Sequence, residues 1–307
     1  MKILVLQIFL CFSMIIAKDA IFEKFMEFTN KFNKKYSTPE EFSKRFAIFK
    51  NNLLEMFYNE HLESTVGINQ FSDLTSQEFH DTYLNLKIPS TIGCSSIKTE
   101  YNAPSSLDWR TKGIVTKVRD LGVCGSASNF VTIDYFDSQS LIEGKSDLFS
   151  DEQIAECEPG HHDCSGGTVE EAFNYLQKDG LELNYTSKDN TCNYDPSKVV
   201  ARVSDIQCLE SLTVSQVQNQ LATVGPLVIA VDARDFMFYS TGVLSCRNSR
   251  VKNHLVLLVG YTEDYWIIKN EWGPNWGEAG YARVSNKEGS NCVIGSYVID
   301  AKLTFIS

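Results

Sequence analysis

Positive charge is scarce in this chain. Twenty-eight lysines and arginines stand against 39 aspartates and glutamates, a formal net charge of −11 with a pI near 5.0. That balance argues against nucleic acid as a partner and leaves no basic stripe for an anionic membrane. Long apolar runs are scarce too. Past the first 17 residues none approaches the ~20 that a bilayer-crossing helix needs, so no stable membrane span is expected. Clustered metal ligands are also wanting: in His161-His162-Asp163 three adjacent residues cannot share one face, so the trio reads as a solvated loop. No metal and no cofactor are expected.

What is present fits a secreted protein. The chain has 307 residues, 43% apolar and 22% charged, enough for one or two cores and a removable segment. Nine cysteines suit an oxidising compartment. Met1-Lys2, the apolar run Ile3 to Ile16 and the small residue Ala17 read as a signal peptide, 1–17, whose removal takes Cys11 and leaves eight cysteines. The expected route is the secretory pathway, ending outside the cell or in a lysosome or vacuole. Asn184-Tyr185-Thr186 is then a credible glycosylation sequon.

Periodicity supplies the elements. Phe22, Phe25, Phe28 and Phe32 mark one helical face. Thr38-Pro39-Glu40-Glu41 offers a cap, a first-position proline and a third-position glutamate for a second helix carrying Phe42, Phe46, Phe49, Leu53 and Met56. A longer helix opens near Ala127 and carries Phe130, Ile133, Phe136 and Leu141; a short one covers Val169 to Leu176. From Ile206 onward strand signals dominate, in runs starting at Leu227, His254, Tyr265, Tyr281 and Tyr297.

Glu41, Arg45, Phe49 and Asn52, then Gly67 to Asp73, His254 to Tyr261 and Lys269 to Gly273 resemble motifs of the papain-like, cathepsin L-like cysteine peptidases. Glu41, Arg45, Phe49 and Asn52 keep the spacing of that family's prosegment helix, with Met56 and Glu60 departing from it. Gly67-Ile-Asn69-Gln-Phe71-Ser-Asp73 matches the second prosegment motif. His254-Leu-Val-Leu-Leu-Val-Gly-Tyr and Lys269-Asn270-Glu-Trp272-Gly match the segments holding the catalytic histidine, its asparagine and the shielding tryptophan. Gly166 and Gly167 match the bare backbone that pairs with a peptide substrate. The nucleophile segment departs: in Leu121-Gly-Val-Cys124-Gly-Ser-Ala127-Ser128, Ala127 stands at the nucleophile, Leu121 at the oxyanion glutamine and Ser128 at the tryptophan. Thr168, Val169 and Glu170 replace a common Tyr-Pro-Trp specificity wall.

The resemblance implies an α+β, papain-like fold: a helical half (113–205), an antiparallel β-barrel-like half (206–307) and a cleft between. An inhibitory prosegment (18–102) would precede the peptidase domain (103–307) and lie in the cleft. It further implies disulfides Cys124–Cys164, Cys157–Cys192 and Cys246–Cys292; sequence alone leaves the connectivity open. Cys94 and Cys208 are left over and are expected as free thiols, the alternative being a bond between prosegment and mature domain. Ser126 and Ser128 should point roughly 100° to either side of Ala127. The expected function is that of a monomeric pseudopeptidase holding a peptide, a protein or its own prosegment. Alternatives are a hydrolase with residual or serine-based activity, and a structural or storage protein.

Overall fold

The computed structural model describes residues 20–58, 64–88, 94–96, 102–122, 127–146, 148–160, 167–186, 191–246 and 251–306. The expected signal peptide, Cys124, Ser126, Cys164, Gly166 and the His161–Asp163 trio lie outside them.

Two helices come first, α1 (20–31) and α2 (Pro39–Tyr58). The phenylalanine spacing explains their packing: Phe25, Phe28 and Phe49 fill one small core, flanked by Phe32, Phe42, Phe46 and Leu53. The cap forms as read, with the Glu41 N–H donating to Thr38 Oγ1 at 3.1 Å. Polar residues of α2 then hold the turn that follows. Asn52 Nδ2 donates to the carbonyls of Ser72 and Leu74 at 2.9 and 2.8 Å. Arg45 reaches the Asp73 carbonyl at 3.0 Å and Glu78 Oε2 at 2.8 Å. Strand β1 (Ser64–Val66) and helix α3 (Ser76–Tyr83) flank this turn, α3 opening on a Thr75–Glu78 capping box.

The remaining elements are β2 (Leu107–Asp108), α4 (Ala127–Ile142), α5 (Asp151–Cys157), α6 (Val169–Lys178), β3 (Leu181–Glu182) and β4 (Val199–Leu209). After them come α7 (Val214–Val224), β5 (Leu227–Val231), β6 (Tyr239–Leu244), β7 (His254–Tyr261), β8 (Tyr265–Lys269), β9 (Tyr281–Ser285) and β10 (Val298–Phe305). One sheet runs β1-β6-β9-β8-β7-β5-β10-β4-β3, with β2 on β7; among these described strand pairs only β6–β9 is parallel. Alternation along β5 and β7 feeds two cores. Leu227, Ile229, Val256 and Leu258 face one containing Trp266, Trp272 and Trp276. Val228, Ala230, Leu255 and Leu257 face the other, built with α4 and α6.

The helical half ends sooner than the sequence suggested. β4 starts at Val199, ahead of Ile206, because β10 pairs along it from Ala201 to Leu209. Neither α7 nor β6 was anticipated. The bonds Cys157–Cys192 and Cys246–Cys292 are as expected. The expectation of free thiols fails: Cys94 and Cys208 are joined. Ser95 forms an isolated parallel bridge to Leu209, with Ser95 N–H donating to the Cys208 carbonyl and Glu210 N–H to the Ser95 carbonyl, both at 3.0 Å. That pairing sets the two sulfurs together. Asn184 is exposed, in a turn with φ 57°.

Candidate active site

β7 and β8 are antiparallel neighbours, Leu257 opposite Lys269, so the start of β7 and the end of β8 meet. His254 opens β7, Asn270 follows β8, and His254 Nε2 lies 2.8 Å from Asn270 Oδ1. An amide oxygen only accepts, so Nε2 carries the proton and Nδ1 is the basic nitrogen. The Glu271 N–H, 2.9 Å from the same Oδ1, fixes which way the amide points. The Trp272 ring stacks on the imidazole at 4.7 Å, and both are 1% exposed. Burial pushes His254 down to about 4, the Asn270 hydrogen bond working against it. The ring is therefore neutral at neutral pH, with its working tautomer held.

Helix α4 begins at the opposite wall. Ala127, Ser128, Gly167 and His254 line one small cavity of about 10 Å³, closed by Asn85 and Leu86. Ala127 brings a methyl group to the imidazole and nothing that can attack a carbonyl. Ser128 also lines the cavity, although the helical step was expected to carry it aside. Leu121 is buried in the tryptophan-containing core, and its N–H is spent on the Glu271 carbonyl at 2.9 Å.

The N-terminal segment covers this arrangement. Gln70 Nε2 donates to the Trp272 carbonyl at 2.6 Å and Asn69 Nδ2 to that of Met237 at 2.7 Å. Phe71 and Phe79 turn edges to Trp272 at 5.3 and 5.4 Å. The Leu86 N–H then donates to the Asn253 carbonyl at 3.3 Å, beside His254.

Beneath the pair lies a charged layer that sequence reading missed. Glu271 is fully buried, 3.9 Å from His254 Nε2, and neither carboxylate oxygen accepts a hydrogen bond among the described residues. Burial and then Asp134 push it well above the usual carboxylate range, Lys269 opposing. Lys269 Nζ sits 2.6 Å from Asp134 Oδ2, and Arg119 forks to Asp134, Asp137 and Asp151 at 2.9, 2.6 and 3.0 Å. The available signal was a glutamate inside a run whose neighbours all read as buried.

Residues 103–301 match the papain family cysteine protease domain, and residues 25–79 match the cathepsin propeptide inhibitor domain (I29). The chain belongs to the papain family. It is 37% identical over 295 residues to cysteine proteinase 15A of Pisum sativum, covering 85% of this chain and 81% of that one. To the cathepsin L-like proteinase of Fasciola hepatica it is 37% identical over 251 residues, 76% and 77% of the two chains. Among solved structures it superposes on digestive procathepsin L2 from Tenebrio molitor larval midgut with a TM-score of 0.83 at 29% identity, spanning 92% and 99% of the chains. The stem bromelain precursor gives 0.79 at 28% identity, over 92% and 99%. The fold is thus the papain-like one, and the cover across His254 is the propeptide domain with its continuation through Leu86.

Proposed function

We propose that this papain-family chain is a pseudopeptidase, which holds a peptide or protein in its cleft without cutting it. One observation carries the reading: Ala127 lines the cavity with His254, so the general base and its asparagine meet no thiol at the nucleophile position. Losing the nucleophile costs on the order of 10⁶ in rate in a triad enzyme. Leu121, with no side-chain donor for an oxyanion, removes a further ~10²–10³. His254 and Asn270 keep the family roles of base and orienter, Trp272 shields their bond, and Gly167, which matches the family's peptide shelf together with Gly166 in the sequence, lines the same cavity. Three disulfides among the described residues support passage through the secretory pathway.

The deciding experiment pairs turnover with binding. Fluorogenic peptides should be cleaved no faster than by a His254→Ala variant, and a peptide library should bind protein whose N-terminal segment an added peptidase has removed. Absence of peptide binding overturns the reading in favour of a structural or storage role. Ser128, in the same cavity as His254, favours a second reading as a serine hydrolase. Turnover that Ser128→Ala abolishes would establish it.

A further inference from the structure

A second cavity, of about 500 Å³, lies between α6 and the strands β4 and β10, and shares no lining residue with the one beside His254. Its volume is that of a small-ligand pocket. Glu170, Asn174 and Gln177 form one wall; at spacings of four and three they share a face of α6. Asp205, Ile206 and Ile299 form the other.

That second wall departs from regular strand geometry. Adjacent strand residues face opposite sides, yet Asp205 and Ile206 both line the cavity. The register explains it. Asp300 pairs with Gln207 and Lys302 with Ser204, so two residues of β4 oppose one of β10. Asp205 takes φ 49° at this bulge, a conformation that aspartate tolerates better than most residues. The bulge turns a carboxylate and an apolar side chain to the same side.

Glu170 gives the cavity its chemistry. It is 5% exposed, and its Oε1 accepts from the Tyr297 hydroxyl. Its Oε2 has no partner at full hydrogen-bond geometry among the described residues, only a weak hydrogen-bonding contact of the carboxyl with Thr168. Burial, and more weakly Glu171, raise its pKa; the Tyr297 hydroxyl, its own backbone N–H and, least, Thr168 act against them, with no lysine or arginine among these opposing groups. Buried carboxylates are ordinarily paired with a cation or fully hydrogen-bonded. Here a second carboxylate, Asp205, stands across the same space.

We infer that this cavity is a binding site for an alkyl ammonium or guanidinium group. Glu170 supplies the counter-charge at the inner end and Asp205 a second one. Ile206 and Ile299 pack the alkyl stem, and the amide oxygens of Asn174 and Gln177 accept the remaining N–H donors. The same group arrives either on a free amine or as a lysine or arginine side chain.

The test uses the full chain, with the methyl resonances of Ile206 and Ile299 as reporters. Both n-butylammonium and n-butylguanidinium should shift them saturably, and neutral n-butanol should bind at least about tenfold more weakly. Glu170→Gln keeps the volume and the Tyr297 bond but should weaken both cations about tenfold. Should that variant fail to fold, Asp205→Asn, which tolerates the same φ, should weaken them a few-fold. A lysine peptide that displaces n-butylammonium better than N-acetyl-lysine amide identifies a side-chain ligand; equal displacement identifies a free amine. The inference is overturned by the absence of saturable shifts, by n-butanol binding as well as the cations, or by unchanged affinity in a folded variant.

Discussion

Glu271 holds its carboxylate 3.9 Å from Nε2 of His254, with both side chains closed off from solvent. Such a carboxyl keeps its proton in the folded chain at pH values where the unfolded chain has lost it. Burial does the same to Asp137 and Asp300, each pushed up to about 6. Asp137 and Asp300 stabilise the fold fully below about pH 4, and that contribution is lost as the pH rises through about 6. Glu271 acts in the same direction. His254, pushed down to about 4, works in reverse: its cost appears as the pH falls below about 6.5, where the unfolded imidazole binds a proton. Five raised carboxyls, Asp151 and Glu170 included, oppose one imidazole, so Tm should be higher at pH 5 than at pH 7.5. Glu271→Gln should raise stability at pH 7.5 by about 1–2 kcal/mol and change little at pH 5. Calorimetry at the two pH values checks both statements, and a higher wild-type Tm at pH 7.5 contradicts the first.

Restoring the thiol tests the facing walls of the cleft. Ala127→Cys, combined with Leu86→Ala to thin the cover, should alkylate about tenfold faster than free cysteine at pH 6, since a helix N-terminus and an imidazole both favour the thiolate. Adding Leu121→Gln should raise peptidase activity by ~10²–10³. It should also cost ~1–3 kcal/mol, because Leu121 is buried among apolar side chains. Activity from Leu121→Gln without Ala127→Cys would mean a different nucleophile. Alkylation no faster than that of free cysteine would mean that His254 does not act on position 127.

Processing should be slow and traceable. Pure protein acidified alone should keep residues 18–102 attached, since Ala127 cannot cleave them. An added peptidase that cuts between Cys94 and Ala103 should yield two pieces that separate on a gel only after reduction, because Cys94 is bonded to Cys208. A cut ahead of Cys94 should free the N-terminal segment without reductant. Release after the first kind of cut, without reductant, would rule the bond out.

Asn52 joins α2 to the turn that carries Gln70 and Phe71 onto Trp272. Asn52→Ala removes two hydrogen bonds from a buried side chain and should cost ~2–3 kcal/mol. Hydrogen exchange at the Leu86 amide should speed up, with Trp272 emission moving to the red. Unchanged exchange there would uncouple α2 from the cover.

The parts legible in the sequence were those whose signal is local. Phe42, Phe46 and Phe49 with Thr38 placed α2, and the run after His254 placed β7. β4 was hidden because Arg202, Asp205 and Gln207 interrupt its apolar pattern, and the strand exists through its pairing with β10. Cys94 and Cys208, 114 residues apart, were joined by an isolated bridge at Ser95 that no spacing rule announces. Glu271 was visible as a residue, but its proximity to His254 and Asp134 is a property of three separate elements. Ser128 was misplaced because a helical wheel gives direction around α4 and not which side chains of other elements close a cavity beside it.

The bond at Cys94 also changes what competition for the cleft means. The contacts described across His254 and along β6, from β1 to Leu86, precede it in the chain. Once the backbone is broken between Cys94 and Ala103, cover and cleft remain on one short leash, at an effective concentration in the mM range. Rebinding is then intramolecular and independent of dilution. A rival at micromolar concentration has to bind about a thousandfold more tightly than the cover to hold the site half the time.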